Sequence, residues 1–298
     1  MSSTGPDPAG PSPVESPAPI TGDATASGEF GPVKQAERDW HDAFFKAHAA
    51  VAYPEAPADF LRIFQLVQLT PFAEGGWGWW ADLRREALDS IGDVRGLRVL
   101  DYGCGFGMLG MYLSSCGAQV WGFDLSSPAI EAANLAAHRY GLSAQFEQMD
   151  AENLRYADAS FDLVIGFGVL HHVVKYSRAG AELFRVVAPG GRAVFHETLW
   201  DNPAINFVRR FTSEHADAGD AHLTDKNIRE FCRDFSDVRL EKRHLLYMLK
   251  RLAKLPSPDP SLPVTPRPFW QAVKSLDAQL LRFPPLRRYC GEVIIYLT

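Results

Sequence analysis

Three aspartates follow short apolar runs in this sequence, and their spacing sets out the candidate chemistry. Asp101, Asp124 and Asp150 each stand where a predicted strand ends. The carboxyl ends of parallel strands meet at one edge of a sheet, and ligands of open α/β folds bind there. A carboxylate at this edge can accept hydrogen bonds from ribose hydroxyls or from an exocyclic amine. One such aspartate is often only a helix cap, but three in succession indicate a nucleotide-like ligand.

Alternating glycines follow the first aspartate. Gly103, Gly105 and Gly107 come directly after Asp101, and the next segment has helical composition. Glycine lacks a Cβ, so the backbone can turn sharply and a ligand can lie against it. The spacing of Gly105, Gly107 and Gly110 also matches the dinucleotide fingerprint G-x-G-x-x-G, which alone is a weak signal. At this point both a nicotinamide dinucleotide and another adenosine cofactor remain open.

Two adjacent histidines, His171 and His172, follow the fourth predicted strand. Imidazole titrates near neutral pH, so either side chain could act as a general base on an acceptor. The alternative is that both only pack or form hydrogen bonds at this point of the fold. His196 and Glu197 end the fifth predicted strand in a similar place.

The ordered set of motifs resembles the class I methyltransferases that use S-adenosylmethionine (SAM). The glycine turn is followed by FDLVIGFGVLHHV and then by LFRVVAPGGRAVFHE, and the resemblance covers residues 97–197. It implies that Asp124 holds the ribose and that Asp150 accepts from the adenine amine. The implied cofactor-binding residues are Asp101, Gly103, Cys104, Gly105, Asp124, Leu125, Asp150, Ala151, Gly166 and Phe167. No cluster with metal-ligand spacing stands out, so a metal-independent reaction is expected.

Composition excludes several classes of protein. The chain of 298 residues has a net charge of −6, which argues against general nucleic-acid binding. Its four cysteines are scattered without a CxxC pair, which is typical of a reducing cytoplasm rather than of a disulfide framework or zinc site. No apolar run approaches 18 residues, so no membrane-spanning helix is expected.

The sequence divides into a tail, a helical cap and a catalytic domain. Residues 1–31 are rich in Pro, Ser and Ala and are expected to be disordered, and residues 32–92 read as an N-terminal helical cap. From residue 93 to 298, strands alternate with helices, with a turn at 188–191 and a cap insertion around 246–285. We expect a Rossmann-like α/β fold: a seven-stranded, mostly parallel sheet with helices on both faces. The resemblance implies that the last strand is antiparallel.

Two segments outside the motifs bear on the substrate. Residues 72–80 combine three tryptophans with three glycines and could form part of a lid or only a packed elbow. Residues 243–255 alternate leucines with basic side chains, and a helix there would have an apolar and a basic face. Such a helix suits peripheral contact with a membrane, although the leucines could instead cover the substrate pocket or finish the sixth strand.

The sequence therefore predicts transfer of a methyl group from SAM to a small, apolar acceptor, at oxygen. A non-catalytic SAM-binding protein and an NAD-dependent oxidoreductase are the alternatives. An oxidoreductase would require a second catalytic domain, which the sequence does not indicate. The identity of the acceptor and the oligomeric state are not encoded in any motif.

Overall fold

The computed structural model describes residues 31–52, 57–69, 80–200, 202–203, 206, 221–252 and 267–298. In this part of the chain, seven strands form one sheet in the order β3-β2-β1-β4-β5-β7-β6. The strands are β1 (Arg98–Tyr102), β2 (Gln119–Asp124), β3 (Gln145–Gln148), β4 (Phe161–Phe167), β5 (Val187–Thr198), β6 (Val238–Arg243) and β7 (Glu292–Leu297).

The direction of the strands creates a binding cleft. β1 pairs in parallel with β2 and β4, and the parallel pairing continues to β3 and β5. β7 is antiparallel to both β5 and β6, as expected for the last strand. The chain order reverses between β1 and β4, and a crevice forms at the carboxyl ends of strands at such a reversal.

Helices cover both faces of the sheet, which confirms the predicted architecture. One core contains Phe60, Leu83 and Ile130, and the other contains Leu170, Leu183 and Ile228. The helices are α1 (Pro32–Ala52), α2 (Pro57–Phe64), α3 (Ala81–Ile91), α4 (Met108–Ser115), α5 (Ser127–Arg139), α6 (Leu170–Val173), α7 (Ala179–Val186), α8 (Asp225–Phe231) and α9 (Arg267–Leu280). Within the described residues, none of these helices is both long and apolar enough to cross a membrane.

The N-terminal helix α1 lies over the edge of the sheet where the parallel strands end. Its Asp42 accepts a hydrogen bond of 2.6 Å from the hydroxyl of Ser126, just before α5. Its Lys34 reaches the acids that follow β3, at 2.6 Å from Asp150 and 2.7 Å from Glu152. The helix is therefore part of the wall of whatever binds at this edge.

Two local predictions were wrong. Residues 188–191 belong to β5 rather than to a turn, and the register between β4 and β5 shifts between Phe161 and Leu163 to accommodate them. Residues 243–246 are not helical, and a 3₁₀ helix occupies Tyr247–Leu252. Asp277 is the physical reason, because its buried carboxylate accepts backbone N–H groups from three consecutive residues, 245 to 247. Residues 253–255 and the tryptophan-rich residues 72–79 lie outside the described chain.

Candidate active site

The glycine turn after β1 has the backbone conformation that its sequence requires. Gly103, Gly105 and Gly107 have φ of 65°, 51° and 67°, a region that other residues rarely adopt. A Cβ on Gly103 would lie 2.2 Å from Cγ2 of Val169, so the turn also packs too closely for any side chain at that position. The turn therefore exposes backbone at the carboxyl end of β1.

Asp101 supports this turn from behind. Its carboxylate is 2% exposed and accepts a hydrogen bond of 2.8 Å from the backbone N–H of Gly110. Burial raises the pKa of Asp101 to about 7, and the charge of Asp124 adds to this, although the bond from Gly110 opposes it. Neither Asp101 nor Gly166 lines the cavity described next. Their positions suit a supporting role rather than direct contact with a cofactor.

A cavity of about 770 Å³ lies at the carboxyl ends of β1 to β4. It is large enough for a nucleoside cofactor together with a small acceptor. The structure brings ten of the twelve predicted site residues to its wall. These are Gly103, Cys104, Gly105, Asp124, Leu125, Asp150, Ala151, Phe167, His171 and His172.

The two acids in the wall are held in fixed orientations. Asp124 accepts backbone N–H groups from Gly105 and Ser126, each at 2.9 Å. Asp150 accepts the backbone N–H of Glu152 at 2.9 Å through one oxygen and meets Lys34 at 2.6 Å through the other. Each carboxylate oxygen can accept more than one hydrogen bond, so both acids keep capacity for a ligand.

His171 is paired with a buried carboxylate. Its Nδ1 lies 2.9 Å from Oε2 of Glu197, which is fully buried and also accepts the backbone N–H groups of Val169 and Leu170. Burial alone would raise the pKa of Glu197, but the charge and hydrogen bond of His171 and the two amides hold it below its usual value. The pairing fixes the ring and leaves Nε2 as the nitrogen that can serve a group in the cavity.

His172 is tied to the cap instead. Its Nδ1 lies 3.2 Å from Oε1 of Glu37 on α1, and the other oxygen of Glu37 lies 3.1 Å from Lys175 and 2.5 Å from the hydroxyl of Tyr176. Burial raises the pKa of Glu37, but the bonds from His172 and Tyr176 and the charge of Lys175 outweigh it, and the pKa is lowered. His172 therefore helps to fasten α1 across the cavity.

The cap also supplies residues that the sequence did not single out. Lys34, Glu37 and His41 lie on one face of α1 and line the cavity. One donor atom each of Glu37, His41 and His172 lies within 4.8 Å of the other two, although Lys175 already neutralises Glu37. In the sequence, Lys34, Glu37 and His41 are three and four residues apart, which places them on one face of a helix. This spacing could not show whether that face lines a pocket or faces solvent.

The remaining wall is aromatic. Trp40 and Phe44 of α1 stack with ring centroids 5.6 Å apart, and Phe45 meets Phe106 of the glycine turn edge to face at 4.7 Å. All four residues line the cavity. Aromatic walls bury flat apolar ligands, so this side of the cavity suits a flat apolar group.

Comparison with known proteins agrees with this geometry. Residues 100–195 match the methyltransferase domain family. Over 160 residues the chain is 31% identical to the ubiquinone biosynthesis O-methyltransferase of Nitrosococcus oceani, covering 53% of this chain and 66% of that protein. It is 39% identical over 122 residues to the demethylmenaquinone methyltransferase of Thermus thermophilus, covering 39% of this chain and 55% of that protein. The chain thus spans between about half and two thirds of the length of these relatives.

Among solved structures, the [4+2]-cyclase SpnF shares the fold. It superposes with a TM-score of 0.58 at 19% identity, covering 88% of this chain and 95% of that one. A fold hosts many reactions, so this likeness concerns architecture only. The family match decides between the two cofactors that the glycine spacing left open, in favour of SAM over NAD. The matched region and the sheet around it place this chain among the class I SAM-dependent methyltransferases.

Proposed function

We propose that this protein transfers a methyl group from SAM to the oxygen of a small, apolar acceptor. The observation that carries the proposal is one cavity whose wall contains Asp124 and Asp150, the carboxylate-paired His171 and a group of aromatic side chains. The relatives named as O-methyltransferases support an oxygen acceptor. Bound SAM would supply an electrophilic sulfonium methyl group.

The acids and the glycine turn would hold the cofactor. Asp124 lies beside Gly105 at the end of β2, where its carboxylate suits the two ribose hydroxyls. Asp150 and Ala151 follow β3 and suit the adenine edge. Because Lys34 of α1 forms an ion pair with Asp150, this carboxylate would both bind the cofactor and hold α1 over the cavity.

His171 would take the proton from the acceptor hydroxyl. Glu197 holds Nδ1, so Nε2 accepts the proton and the buried carboxylate stabilises the resulting imidazolium. The aromatic wall would exclude water and orient the acceptor, which is the main contribution that a protein makes to such a displacement. His172, bound to Glu37, would act through the cap rather than on the acceptor.

The test measures methyl transfer and cofactor binding separately. Methyl-labelled SAM is incubated with the protein and a fractionated cell extract, and S-adenosylhomocysteine binding is followed by calorimetry. We expect label in a small, solvent-extractable product. His171→Ala should lower the transfer rate by about 100-fold or more while S-adenosylhomocysteine binding is kept.

His138→Ala is the matched control, because His138 is exposed on α5 and away from the cavity wall. It should leave both readouts unchanged. Tight binding of S-adenosylhomocysteine with no label in any fraction would refute methyl transfer and favour a non-catalytic SAM-binding protein. An unchanged rate in both His171→Ala and His172→Ala would refute the general base.

The setting of the enzyme follows from two further features. All four cysteines are unpaired, which agrees with a reducing compartment such as the cytoplasm.

Peripheral membrane contact through residues 243–255 stays a prediction. The continuous helix that it relied on does not form at 243–246. Leu246 and Leu249 are exposed there, whereas Tyr247 and Met248 are buried. Flotation with anionic liposomes at low salt tests it, and absence of binding would remove it.

A further inference from the structure

Three side chains of the kinds that ligate metal ions meet in the cavity wall. Glu37 and His41 lie about one turn apart on α1, and His172 lies on α6. One donor atom of each lies within 4.8 Å of the other two, and all three residues line the cavity. In the sequence only Glu37 and His41 share a local spacing, because the fold brings His172 to them. The proposed reaction uses a different pair, His171 and Glu197.

The spacing of two of the donors already matches a coordination shell. Zn²⁺ binds nitrogen and oxygen ligands at about 2.0–2.2 Å, so adjacent ligands of a tetrahedral ion lie about 3.3 Å apart. Nδ1 of His172 lies 3.2 Å from Oε1 of Glu37. The ring of His41 meets that of His172 edge to face, with centroids 4.9 Å apart. Since the donors all lie within 4.8 Å of one another, completing the shell requires movements of about 1.5 Å at most.

The carboxylate of Glu37 is held with one oxygen toward the other donors. Its Oε2 accepts a hydrogen bond of 2.5 Å from the hydroxyl of Tyr176 and lies 3.1 Å from Nζ of Lys175. Glu37 is 3% exposed, so little water competes for these contacts. Hydrogen bonds of this kind orient the carboxylates that ligate metal ions. Oε1 is therefore the oxygen that a metal ion could share with His172.

Lys175 is the group that opposes a cation at this cluster. Its ammonium lies against Glu37, and a metal ion on the same carboxylate would repel it. The side chain of Lys175 is 21% exposed, and its flexible stem allows the ammonium to move into solvent. Removing this charge should therefore strengthen metal binding, which gives the cluster a test that does not depend on losing a ligand.

We propose that Glu37, His41 and His172 form a binding site for one Zn²⁺ ion that joins α1 to α6. Two imidazoles and one carboxylate suit Zn²⁺, whereas Mg²⁺ and Ca²⁺ prefer oxygen ligands throughout. Three protein ligands leave a fourth position open, as in sites where zinc binds water or a substrate oxygen. Because the three residues line the cavity, the ion would fasten the cap and present that position to a bound molecule.

Calorimetric titration of ZnCl₂ into the metal-free protein tests the site. We expect one ion per chain in the wild type. Glu37→Gln and His41→Ala should each weaken binding about 100-fold or more, since losing even a hydrogen-bond partner of a ligand costs about 10-fold to 100-fold. Lys175→Met should strengthen binding about 10-fold, because it removes the opposing charge.

Two further metals test the coordination. MgCl₂ should not bind at this site, because two of its three ligands are imidazoles. Co²⁺ should bind with the strong visible absorption of tetrahedral coordination, and this absorption should be lost in Glu37→Gln and His41→Ala. Binding of Mg²⁺ as tight as that of Zn²⁺ would contradict the proposed donor set.

His48→Ala is the matched control, because His48 is an exposed histidine on the same helix and does not line the cavity. It should leave the affinity for Zn²⁺ unchanged. Thermal unfolding of the metal-free variants separates loss of a ligand from loss of folding, and Lys175→Met retains the test if a ligand variant does not fold.

Absence of Zn²⁺ binding in the wild type, or binding that survives in both Glu37→Gln and His41→Ala, would overturn the proposal. The titrations require neither SAM nor an acceptor, so that result would leave the proposed methyl transfer standing. Conversely, a protein that binds Zn²⁺ through these residues but transfers no methyl group would refute the proposed function alone.

Discussion

Replacing Gly103 with alanine should destabilise the protein more than replacing Gly141, a second glycine with a left-handed backbone conformation. Gly103 and Gly141 have almost the same φ, 65° and 64°. A Cβ on Gly103 would lie 2.2 Å from Cγ2 and 2.9 Å from Cβ of Val169, whereas a Cβ on Gly141 would meet nothing within 4 Å. The two alanine variants therefore share the backbone penalty and differ in the steric one.

The expected magnitudes follow from these distances. The left-handed conformation costs an alanine about 1–2 kcal/mol at either site. Overpacking adds about 1–3 kcal/mol at Gly103, because Val169 is β-branched and has little freedom to rotate away. We therefore expect Gly103→Ala to lower the free energy of unfolding by about 2–5 kcal/mol, and Gly141→Ala by about 1–2 kcal/mol.

Urea unfolding at neutral pH measures both losses, and calorimetry with S-adenosylhomocysteine measures the effect on the cavity. Gly103→Ala should also abolish or strongly weaken binding, because the turn lines the cavity, and Gly141→Ala should not. Shortening Val169 to alanine in the Gly103→Ala background removes the nearest atom and should restore part of the stability. Equal destabilisation by the two single variants would refute the claim that Val169 fixes the turn.

Two further predictions concern the acids at this edge. Because the pKa of Asp101 is raised to about 7 in the folded protein from an ordinary 3.8, the unfolded chain releases this proton at lower pH than the folded chain does. Stability should therefore fall as pH rises from about 4 to 7, and Asp101→Asn should flatten that slope in urea unfolding across the same range; an unchanged slope would contradict the burial argument. Asp124→Asn should weaken S-adenosylhomocysteine binding by about 10-fold or more and lower the free energy of unfolding by about 1–3 kcal/mol, since its one carbonyl oxygen can keep the bond from Gly105 while its NH2 group faces the N–H of Ser126. Full affinity in that variant would show that the ribose binds elsewhere.

The residues at the ends of β1 to β3 could be identified in the sequence as lining one cavity because their signals are local. A glycine turn, and an aspartate after each of three strands, are set by backbone conformation and by apolar runs within about ten residues. Parallel strands then bring Asp124 and Asp150 to one edge whatever else the chain does. This is why ten of the twelve predicted residues meet in one cavity.

Local patterns failed where a distant side chain decided the backbone. Residues 243–246 have a helical pattern of leucines and basic residues, yet Asp277 on α9 captures three successive N–H groups and holds the chain in a tight turn. Similarly, residues 188–191 lie inside β5 between the pairs Phe161–Val187 and Leu163–Arg192, where the register with β4 shifts. Neither partner lies close enough in the sequence to appear in a periodicity.

By itself, the sequence determined the fold class, the edge of the sheet where the cavity lies, and two acids that line it, Asp124 and Asp150. Only the tertiary structure decided which side chains complete the cavity. It joined His171 to Glu197, tied His172 to Glu37, and brought Arg84 against Phe167. These pairs join residues far apart in the chain, and burial and charge at such distances depend on packing rather than on local spacing.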